Sequence, residues 1–238
     1  MNSIYHASDS RGHANHGWLN SYHSFSFAGY NNPERMHFGA LRVLNDDHVA
    51  GGMGFSKHPH SNMEIVSIPL EGELEHQDSI GNKAVIKTGE VQIMSAGTGV
   101  EHSEKNNNSK LPVKFLQIWV FPKEQNIKPN YDQQEFPLEE RLNRFQKVVS
   151  PSSSSDLGVK INQDAWFSMA DIELGKNIPY TLNKKGNGTY FFVLEGKLEI
   201  DKQKLSKRDG FGIWEFDTVD VKASVDSKVL AIEVPMTF

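Results

Sequence analysis

Two short histidine motifs contain the residues of this sequence that are best suited to bind a metal. His58 and His60 are separated by one residue, and so are His102 and Glu104. Side chains two positions apart on an extended strand point to the same face, so two such pairs on neighbouring strands can direct four donors to one point. Three imidazoles and one carboxylate therefore predict a site for one divalent transition metal.

The donor types narrow the choice of metal. The sequence contains no cysteine, which excludes thiolate sites and disulfides. Nitrogen ligands with one oxygen suit transition metals better than Ca or Mg. Related sites with two histidines and one carboxylate bind non-haem Fe(II) in oxygenases and leave positions open for substrate and dioxygen. We expect Fe(II) here, with Zn, Mn, Cu, Ni or Co as alternatives.

The segments around these motifs are typical of an all-β fold. Residues 63–68 and 115–121 alternate apolar and polar side chains between turn-forming residues, as strands of a sandwich or barrel do. Helix-like spacing occurs only over residues 137–148, where we predict one short helix. The polar, serine-rich residues 150–156 predict an exposed connector.

A weak internal repeat predicts two copies of one β unit. Leu-Glu-Gly-Glu-Leu-Glu at residues 70–75 returns as Leu-Glu-Gly-Lys-Leu-Glu at residues 194–199. A second match, between residues 87–94 and 207–214, follows in the same order. The repeat predicts a first barrel over residues 1–136, a connecting helix and linker over 137–156, and a second barrel over 157–238.

Histidine is confined to the first copy. All ten histidines lie between His6 and His102, and the repeat aligns His58 and His60 with Leu182 and Lys184, neither of which is a credible ligand. We therefore expect the second barrel to be free of metal. His13, His16 and His23 are predicted to be hydrogen-bonded structural residues.

The motifs resemble those of the cupin superfamily and, in detail, those of the pirin family. The resemblance runs from about residue 4 to residue 121 and continues more faintly over the second half, and Ser95 stands where the second cupin motif usually has proline. The segments that carry it are Arg11-Gly12-His13, His16-Gly17-Trp18-Leu19, Tyr22-His23-Ser24-Phe25-Ser26-Phe27, His58-Pro59-His60, Ser95-Ala96-Gly97-Thr98-Gly99 and His102-Ser103-Glu104.

The resemblance implies a bicupin, in which two double-stranded β-helix (jelly-roll) barrels pack face to face and only the N-terminal barrel binds iron. It implies that Glu104 and not Glu64 is the fourth ligand, with Glu104 also able to act as a general base. Bacterial pirin-like proteins include enzymes that cleave quercetin with O₂ and release CO, so a similar flavonol dioxygenase is expected. By the same resemblance, Phe55 and Gln117 are expected to contact the substrate.

Two other functions stay open. Pirins also act as non-enzymatic, iron-dependent regulators that sense redox state and bind protein partners. The same ligands could hold Zn or Mn as a Lewis acid for hydrolysis or isomerisation. The net charge of −5 disfavours direct binding to nucleic acid. The sequence has no apolar run long enough to span a membrane, so we expect a soluble, cytoplasmic protein, and the resemblance suggests a monomer.

Overall fold

The structure, a computed structural model, describes residues 1–237 and is built almost entirely of strands. The strands are short and alternate inward and outward side chains, as the sequence predicts. Over these residues the strands are β1 Asn2–His6, β2 Gly12–Asn15, β3 Leu19–His23, β4 Leu41–Val49, β5 Gly54–His60, β6 Glu64–Glu71, β7 Glu73–Asp78, β8 Lys83–Lys87, β9 Glu90–Ser95, β10 Val100–Asn106, β11 Val113–Val120, β12 Asn130–Glu135, β13 Gln146–Pro151, β14 Val159–Ile161, β15 Trp166–Ile172, β16 Asn177–Thr181, β17 Asn187–Glu195, β18 Lys197–Ile200, β19 Gln203–Ser206, β20 Gly210–Trp214, β21 Thr218–Ala223 and β22 Ser227–Pro235.

The strands form two barrels, and each barrel combines a seven-stranded sheet with a four-stranded sheet. The first barrel has the strand orders β12-β9-β6-β11-β4-β3-β2 and β5-β10-β7-β8. The second has β1-β20-β17-β22-β15-β13-β14 and β16-β21-β18-β19. The predicted all-β architecture of two double-stranded β-helix barrels is confirmed.

The second seven-stranded sheet includes strands from two distant parts of the chain. β1, at the start of the sequence, pairs antiparallel with β20 along its whole length. β13, which lies within the predicted linker, pairs with β15. The connecting helix is a single 3-10 turn, Leu138–Arg141. Its predicted extension to Val148 is wrong, because Val148 and Val149 are buried as part of β13 and strand pairing overrides their helix-like spacing.

The repeated sequence motif forms the same turn in both barrels. Gly72 joins β6 to β7 with a φ of 82°, and Gly196 joins β17 to β18 with a φ of 84°. Only glycine adopts this left-handed conformation without strain. A Cβ at Gly196 would also lie 2.3 Å from Ser227 Oγ, so the glycine is required by packing as well.

Successive side chains of β4, β6 and β11 point in opposite directions, so each of these strands has two different faces. On β11, Leu116 and Ile118 point out of the barrel into a large core that also contains Phe167 and Tyr190 of the second barrel. The residues between them, such as Gln117, point into the first barrel. The two seven-stranded sheets are therefore joined face to face by apolar side chains, and their opposite faces line the barrel interiors.

The two interiors differ in character. The second barrel is filled mainly by one apolar cluster that includes Phe191, Val193 and Val221. Glu233 is also buried there, and Tyr180 donates a hydrogen bond to its carboxylate. The first barrel has two smaller clusters, one around Phe115 and one around Met94. Buried polar side chains separate them, and these side chains form the site described below.

A buried ionic cluster also connects the two halves. Asp46 on β4 accepts hydrogen bonds from Arg11 at 3.2 Å and from Arg208 at 2.9 Å. The three side chains are between 4% and 13% exposed. Because Arg208 belongs to the second barrel, this cluster fixes the relative position of the two seven-stranded sheets.

Within residues 1–237, no helix combines the length and the apolar character that crossing a bilayer requires.

Replacement of Asp46 by alanine should lower the free energy of unfolding by about 3–5 kcal/mol, since two buried guanidinium groups would lose their counter-ion. Urea denaturation measures this. The matched control is Glu195→Ala, which removes the exposed pair with Lys207 and should cost less than about 1 kcal/mol. Equal losses in the two variants would contradict the role given to the cluster.

The stability of the protein should also depend on His6. This residue is buried on β1 and hydrogen-bonds the Tyr190 hydroxyl at 2.9 Å. Burial, with a smaller effect of Arg35, lowers the pKa of His6 to about 4. An unfolded histidine titrates near pH 6.5, so between pH 6.5 and 4 the unfolded chain binds a proton that the folded chain does not, and stability falls as the pH falls through this window.

In the variant His6→Gln, the slope of unfolding free energy against pH in that window should be smaller by about 1.4 kcal/mol per pH unit than in the unmodified chain. Urea titrations of both proteins at the same metal content give the two slopes. Parallel pH profiles would contradict the prediction.

Candidate metal centre and cavity

The predicted ligand residues lie on the four-stranded sheet of the first barrel, where β10 is flanked by β5 and β7. Cross-strand pairing places His102 opposite His58 on one side and opposite Asp78 on the other. A bulge between His102 and Glu104 shifts the register against β5. The long-range pairing of β5 with β10 thus brings the two local motifs together.

The structure places His58, His60 and His102 around one point. Their ring centroids are separated by 4.9 Å (His58 to His60), 4.5 Å (His58 to His102) and 4.8 Å (His60 to His102). One nitrogen from each ring lies within 4.8 Å of the other two. Small movements of these side chains would bring the three nitrogens to the bond lengths of about 2.0–2.1 Å that imidazole ligands make with a metal such as zinc.

The hydrogen bonds of these rings leave the correct nitrogens free for a metal. His58 donates Nδ1–H to the Ser56 carbonyl oxygen at 2.8 Å, so its Nε2 carries the lone pair. His102 Nε2 is buried and has no hydrogen-bond partner among the described residues. An unpartnered acceptor is costly in a protein interior, and a divalent cation would satisfy it. The donor set therefore fits a divalent transition metal.

Glu104 lies beside this cluster but outside it. Ser67 Oγ donates to one carboxylate oxygen at 3.1 Å, and Gln117 Nε2 donates to the other at 2.6 Å. Glu104 forms a second group of candidate ligands with His76 and His102 and is not grouped with His58 and His60. Its role as fourth ligand stays a prediction. In this conformation the carboxylate is held by two hydrogen-bond donors at the edge of the cavity.

A chain of hydrogen bonds runs from His102 through His76 to Asp78. His76 Nε2–H donates to Asp78 Oδ2 at 3.2 Å, which makes His76 Nδ1 an acceptor. His102 Nδ1–H can then donate to that atom across 3.5 Å. Burial raises the pKa of Asp78, but hydrogen bonds from Asn82 and His76 outweigh it, so its pKa is lower than normal and the carboxylate is ionised. Asp78 and His76 thereby fix the tautomer of His102.

The environment keeps two of the candidate ligands neutral. Burial, with smaller effects of the neighbouring histidines, lowers the pKa of His60 to about 4 and that of His102 to about 3. Metal ligation requires the neutral imidazole. Both residues therefore offer a free lone pair at neutral pH.

A cavity of about 460 Å³ opens beside His58, His60 and Glu104. Phe55 and Gln117, the predicted substrate contacts, both line it. Aromatic side chains form much of its wall: Trp18 packs edge-on against Phe55 at 5.5 Å, and Phe27 packs edge-on against Trp119 at 5.3 Å. The volume is in the range of pockets for drug-sized molecules.

Polar side chains from β3 and β4 line the same cavity. His23 Nε2–H donates to Ser21 Oγ at 2.8 Å, and Ser21 in turn donates to Asp47. Burial raises the pKa of Asp47 to about 7, with a smaller contribution from Glu104. Asn45, the cross-strand neighbour of His23, is also buried and lines the cavity.

The sequence motifs identified the three clustered histidines but missed His76, Asp47 and Asn45. His76 and Asp78 have the same i, i+2 spacing as the two ligand pairs, and this spacing is the signal that could have found them. Asn45 and Asp47 lie in no such motif, and only strand pairing brings them to the site. His23 is hydrogen-bonded, as predicted, but it also faces the cavity. Glu64 lies elsewhere, where it accepts hydrogen bonds from Ser95 at 2.7 Å and from the backbone N–H of Asn162 at 3.0 Å.

Comparison with known proteins gives matches over both barrels. A family model described as Pirin matches residues 5–120, and one described as Quercetinase C-terminal cupin domain matches residues 147–234. The quercetin 2,3-dioxygenase of Escherichia coli strain K12 is 42% identical over 229 residues, which cover 94% of this chain and 95% of that protein. A pirin-like protein of Caulobacter vibrioides is 37% identical over 225 residues, with coverage of 94% and 96%.

Solved structures give the same result. The crystal structure of the bacterial pirin YhhW from Escherichia coli in complex with nickel(II) is similar to this chain with a TM-score of 0.92 and 40% sequence identity. The similarity covers 98% of this chain and 99% of that one. Fold and sequence therefore agree over nearly the whole length.

Substitution of His76 by phenylalanine should weaken metal binding roughly 10- to 100-fold, because His102 would lose the acceptor that orients its ring. Competition with a chelator of known affinity, using Ni(II) or Fe(II), measures the change. His76→Gln keeps an oxygen that can accept the bond and should lose less. His13→Phe, at an exposed ring outside the cavity, is the matched control, and an affinity equal to that control would refute the role of His76.

Proposed function

This chain belongs to the pirin family of two-barrel cupins, and on that premise we propose that it is a metal-dependent dioxygenase that cleaves quercetin-like flavonols with O₂ and releases CO. The observation that carries the proposal is the cavity of about 460 Å³ that opens directly beside His58, His60 and Glu104. A concave, largely aromatic pocket of this size suits a small aromatic substrate. A regulator that acts through its surface would not need it.

We assign His58, His60 and His102 as the metal ligands, with Glu104 as a fourth ligand when its carboxylate turns away from Ser67 and Gln117. Fe(II) is the proposed metal. Nickel is an alternative, because the related pirin YhhW has been crystallised with nickel(II). Family membership supports binding of a divalent metal, whereas the choice of iron rests on the chemistry of oxygenase sites.

The metal would supply a binding position for the flavonol oxygens and for dioxygen. The protein supplies orientation and proton transfer. Glu104 is placed to accept the proton of the flavonol 3-hydroxyl, since it lines the cavity together with His58 and His60. Ser67 and Gln117, which both donate to its carboxylate, hold it in position before the proton arrives.

The aromatic walls of the cavity would bind the rings of the substrate and exclude water. Phe55, Trp18 and Trp119 present aromatic surface on which a planar ring can pack, and they keep water away from the reacting carbons. Gln117 contacts both Ser67 and Glu104, so it would align the base with the substrate. The reaction balances without another reductant, because carbon 3 leaves with its oxygen as CO and both atoms of O₂ enter the depside product.

Aerobic incubation of iron-loaded protein with quercetin should deplete the flavonol absorption band and release one CO per flavonol consumed. The variant His58→Ala should lose most of this activity, because one of the three nitrogen ligands would be absent. His13→Ala, which removes an exposed histidine outside the cavity, should retain it. No turnover above the His58→Ala background, in protein shown to contain its metal, would overturn the proposed reaction.

A further inference from the structure

A second cavity, of about 230 Å³, lies between the two seven-stranded sheets, and we call it the interface cavity. Both barrels contribute buried apolar side chains to its walls: Ile68, Val91 and Phe136 from the first, and Val148, Met169 and Leu194 from the second. Among residues 1–237, it shares no lining residue with the cavity beside the candidate metal centre. A molecule bound here would therefore be distinct from the substrate of the proposed reaction.

One wall of the interface cavity carries a guanidinium group that lacks oxygen acceptors. Arg141 is 8% exposed and lines the cavity. Its Nε lies 3.0 Å from Asp171 Oδ1 without the geometry of a hydrogen bond, and its Nη1 donates only to the sulfur of Met169 at 3.8 Å. The third nitrogen, Nη2, has no acceptor among the described residues and, unlike Nε, is not closed to solvent. A buried guanidinium normally donates to several oxygens, so Arg141 points to a ligand.

The charges around the interface cavity favour a ligand with a single negative charge. The charged side chains that line it are Arg141, Arg208, Lys228, Glu90 and Glu195. Three cations against two carboxylates leave an excess of one positive charge. The ion-pair network extends outside the cavity to Arg11, Lys207, Asp46 and Asp171, two cations and two carboxylates, so the excess is unchanged. A monoanion would neutralise it, whereas the two lining carboxylates would repel a second negative charge.

We propose that the interface cavity binds a small amphiphilic monocarboxylate, which accepts hydrogen bonds from Arg141 and packs its alkyl chain between the two sheets. The planar guanidinium group of arginine matches the geometry of a carboxylate. At roughly 30 Å³ for each heavy atom, the share of a water molecule in the liquid, a cavity of about 230 Å³ holds about eight heavy atoms. Hexanoate has this size. Leu138, which is 47% exposed, lies at the mouth of the cavity.

Two methionines allow the position of a bound carboxylate to be tested. Met169 lines the interface cavity, whereas Met94 lies inside the first barrel in the cluster that Trp119 packs against, and Trp119 contacts His60. The experiment titrates hexanoate into zinc-loaded protein, which is diamagnetic, and follows the carbon-13-labelled methionine methyl groups by NMR. The signal of Met169 should shift until it saturates, while that of Met94 stays in place. A shift of Met94 without one of Met169 would place the carboxylate at the metal and overturn the proposal.

Three related compounds test the two parts of the ligand separately. 1-Hexanol keeps the chain without the charge, propionate keeps the charge with a shorter chain, and adipate adds a second carboxylate at the apolar end. Hexanoate should bind at least roughly 10-fold more tightly than each of them, because charged hydrogen bonds and buried methylene groups both contribute to affinity. Equal binding of hexanoate and 1-hexanol would show that Arg141 recognises no carboxylate, and the proposal would be refuted.

The variant Arg141→Met keeps an unbranched side chain and removes the guanidinium group. It should lower the affinity for hexanoate roughly 10- to 100-fold and leave that for 1-hexanol unchanged. Arg144→Met is the matched control, because Arg144 is exposed and lies outside the interface cavity. An affinity for hexanoate equal to that of this control would refute the proposal.

A substitution at the mouth of the interface cavity decides the question if Arg141→Met does not fold. Leu138→Asp places a negative charge at an exposed position that lines the cavity, and it should lower the affinity for hexanoate roughly 3- to 10-fold. Leu157→Asp makes the same exchange at a residue that is 78% exposed and outside the cavity, and it should have no effect. Equal affinities in these two variants would contradict the proposed site. None of these outcomes depends on the proposed reaction, because the readout is binding and not CO release.

Discussion

The alternation of side chains along the strands of the first seven-stranded sheet is the constraint on which the rest of the molecule depends. β4, β6 and β11 each direct every second residue into the core between the barrels and every other residue into the first barrel. Leu116 and Ile118 on β11 belong to the first set, while Gln117 belongs to the second. A shift of register by one residue would exchange the two sets and destroy both the core and the site.

This constraint explains how the first barrel tolerates a polar interior. His102, Glu104, Asn45 and Asp47 are all buried there, and each unsatisfied polar atom costs about 1–3 kcal/mol. The apolar core between the sheets, which includes Phe38, offsets part of that cost. The site is therefore stabilised by packing on the opposite face of the same strands.

Much of the fold could be predicted from local sequence patterns. The parts that could not be predicted are those that depend on pairing between distant segments. The repeat predicted two copies of one β unit, because the tight turn with positive φ at Gly72 and Gly196 leaves a local mark in the sequence. The pairing of β1 with β20 left no such mark. The helix-like spacing up to Val148 gave a wrong prediction for the same reason, because the pairing of β13 with β15 determines the conformation of this segment.

The candidate site likewise contains residues that local patterns predict and residues that they do not. His58, His60 and His102 were predictable because two ligands within one strand give a visible spacing, and only one further pairing is needed to join them. His76 and Asp78 have the same spacing, but their place at the site follows only from the pairing of β7 with β10, where His76 lies opposite Glu104. His23 and Asn45 depend on the register of two more strands. The candidate metal ligands are thus easier to predict from this sequence than the residues that surround them or line the cavity.

The second barrel uses the same architecture with a more apolar interior. Its interior is mainly an apolar cluster around Phe191 and Val221, with the buried carboxylate of Glu233 hydrogen-bonded beside it, and its seven-stranded sheet covers the corresponding sheet of the first barrel. Asp46 and Asp47 have different roles, because Asp46 binds Arg208 of the second barrel while its neighbour Asp47 faces the cavity. Adjacent residues of β4 thus face the barrel interface and the cavity, and the second barrel contributes to the site by holding that strand in place.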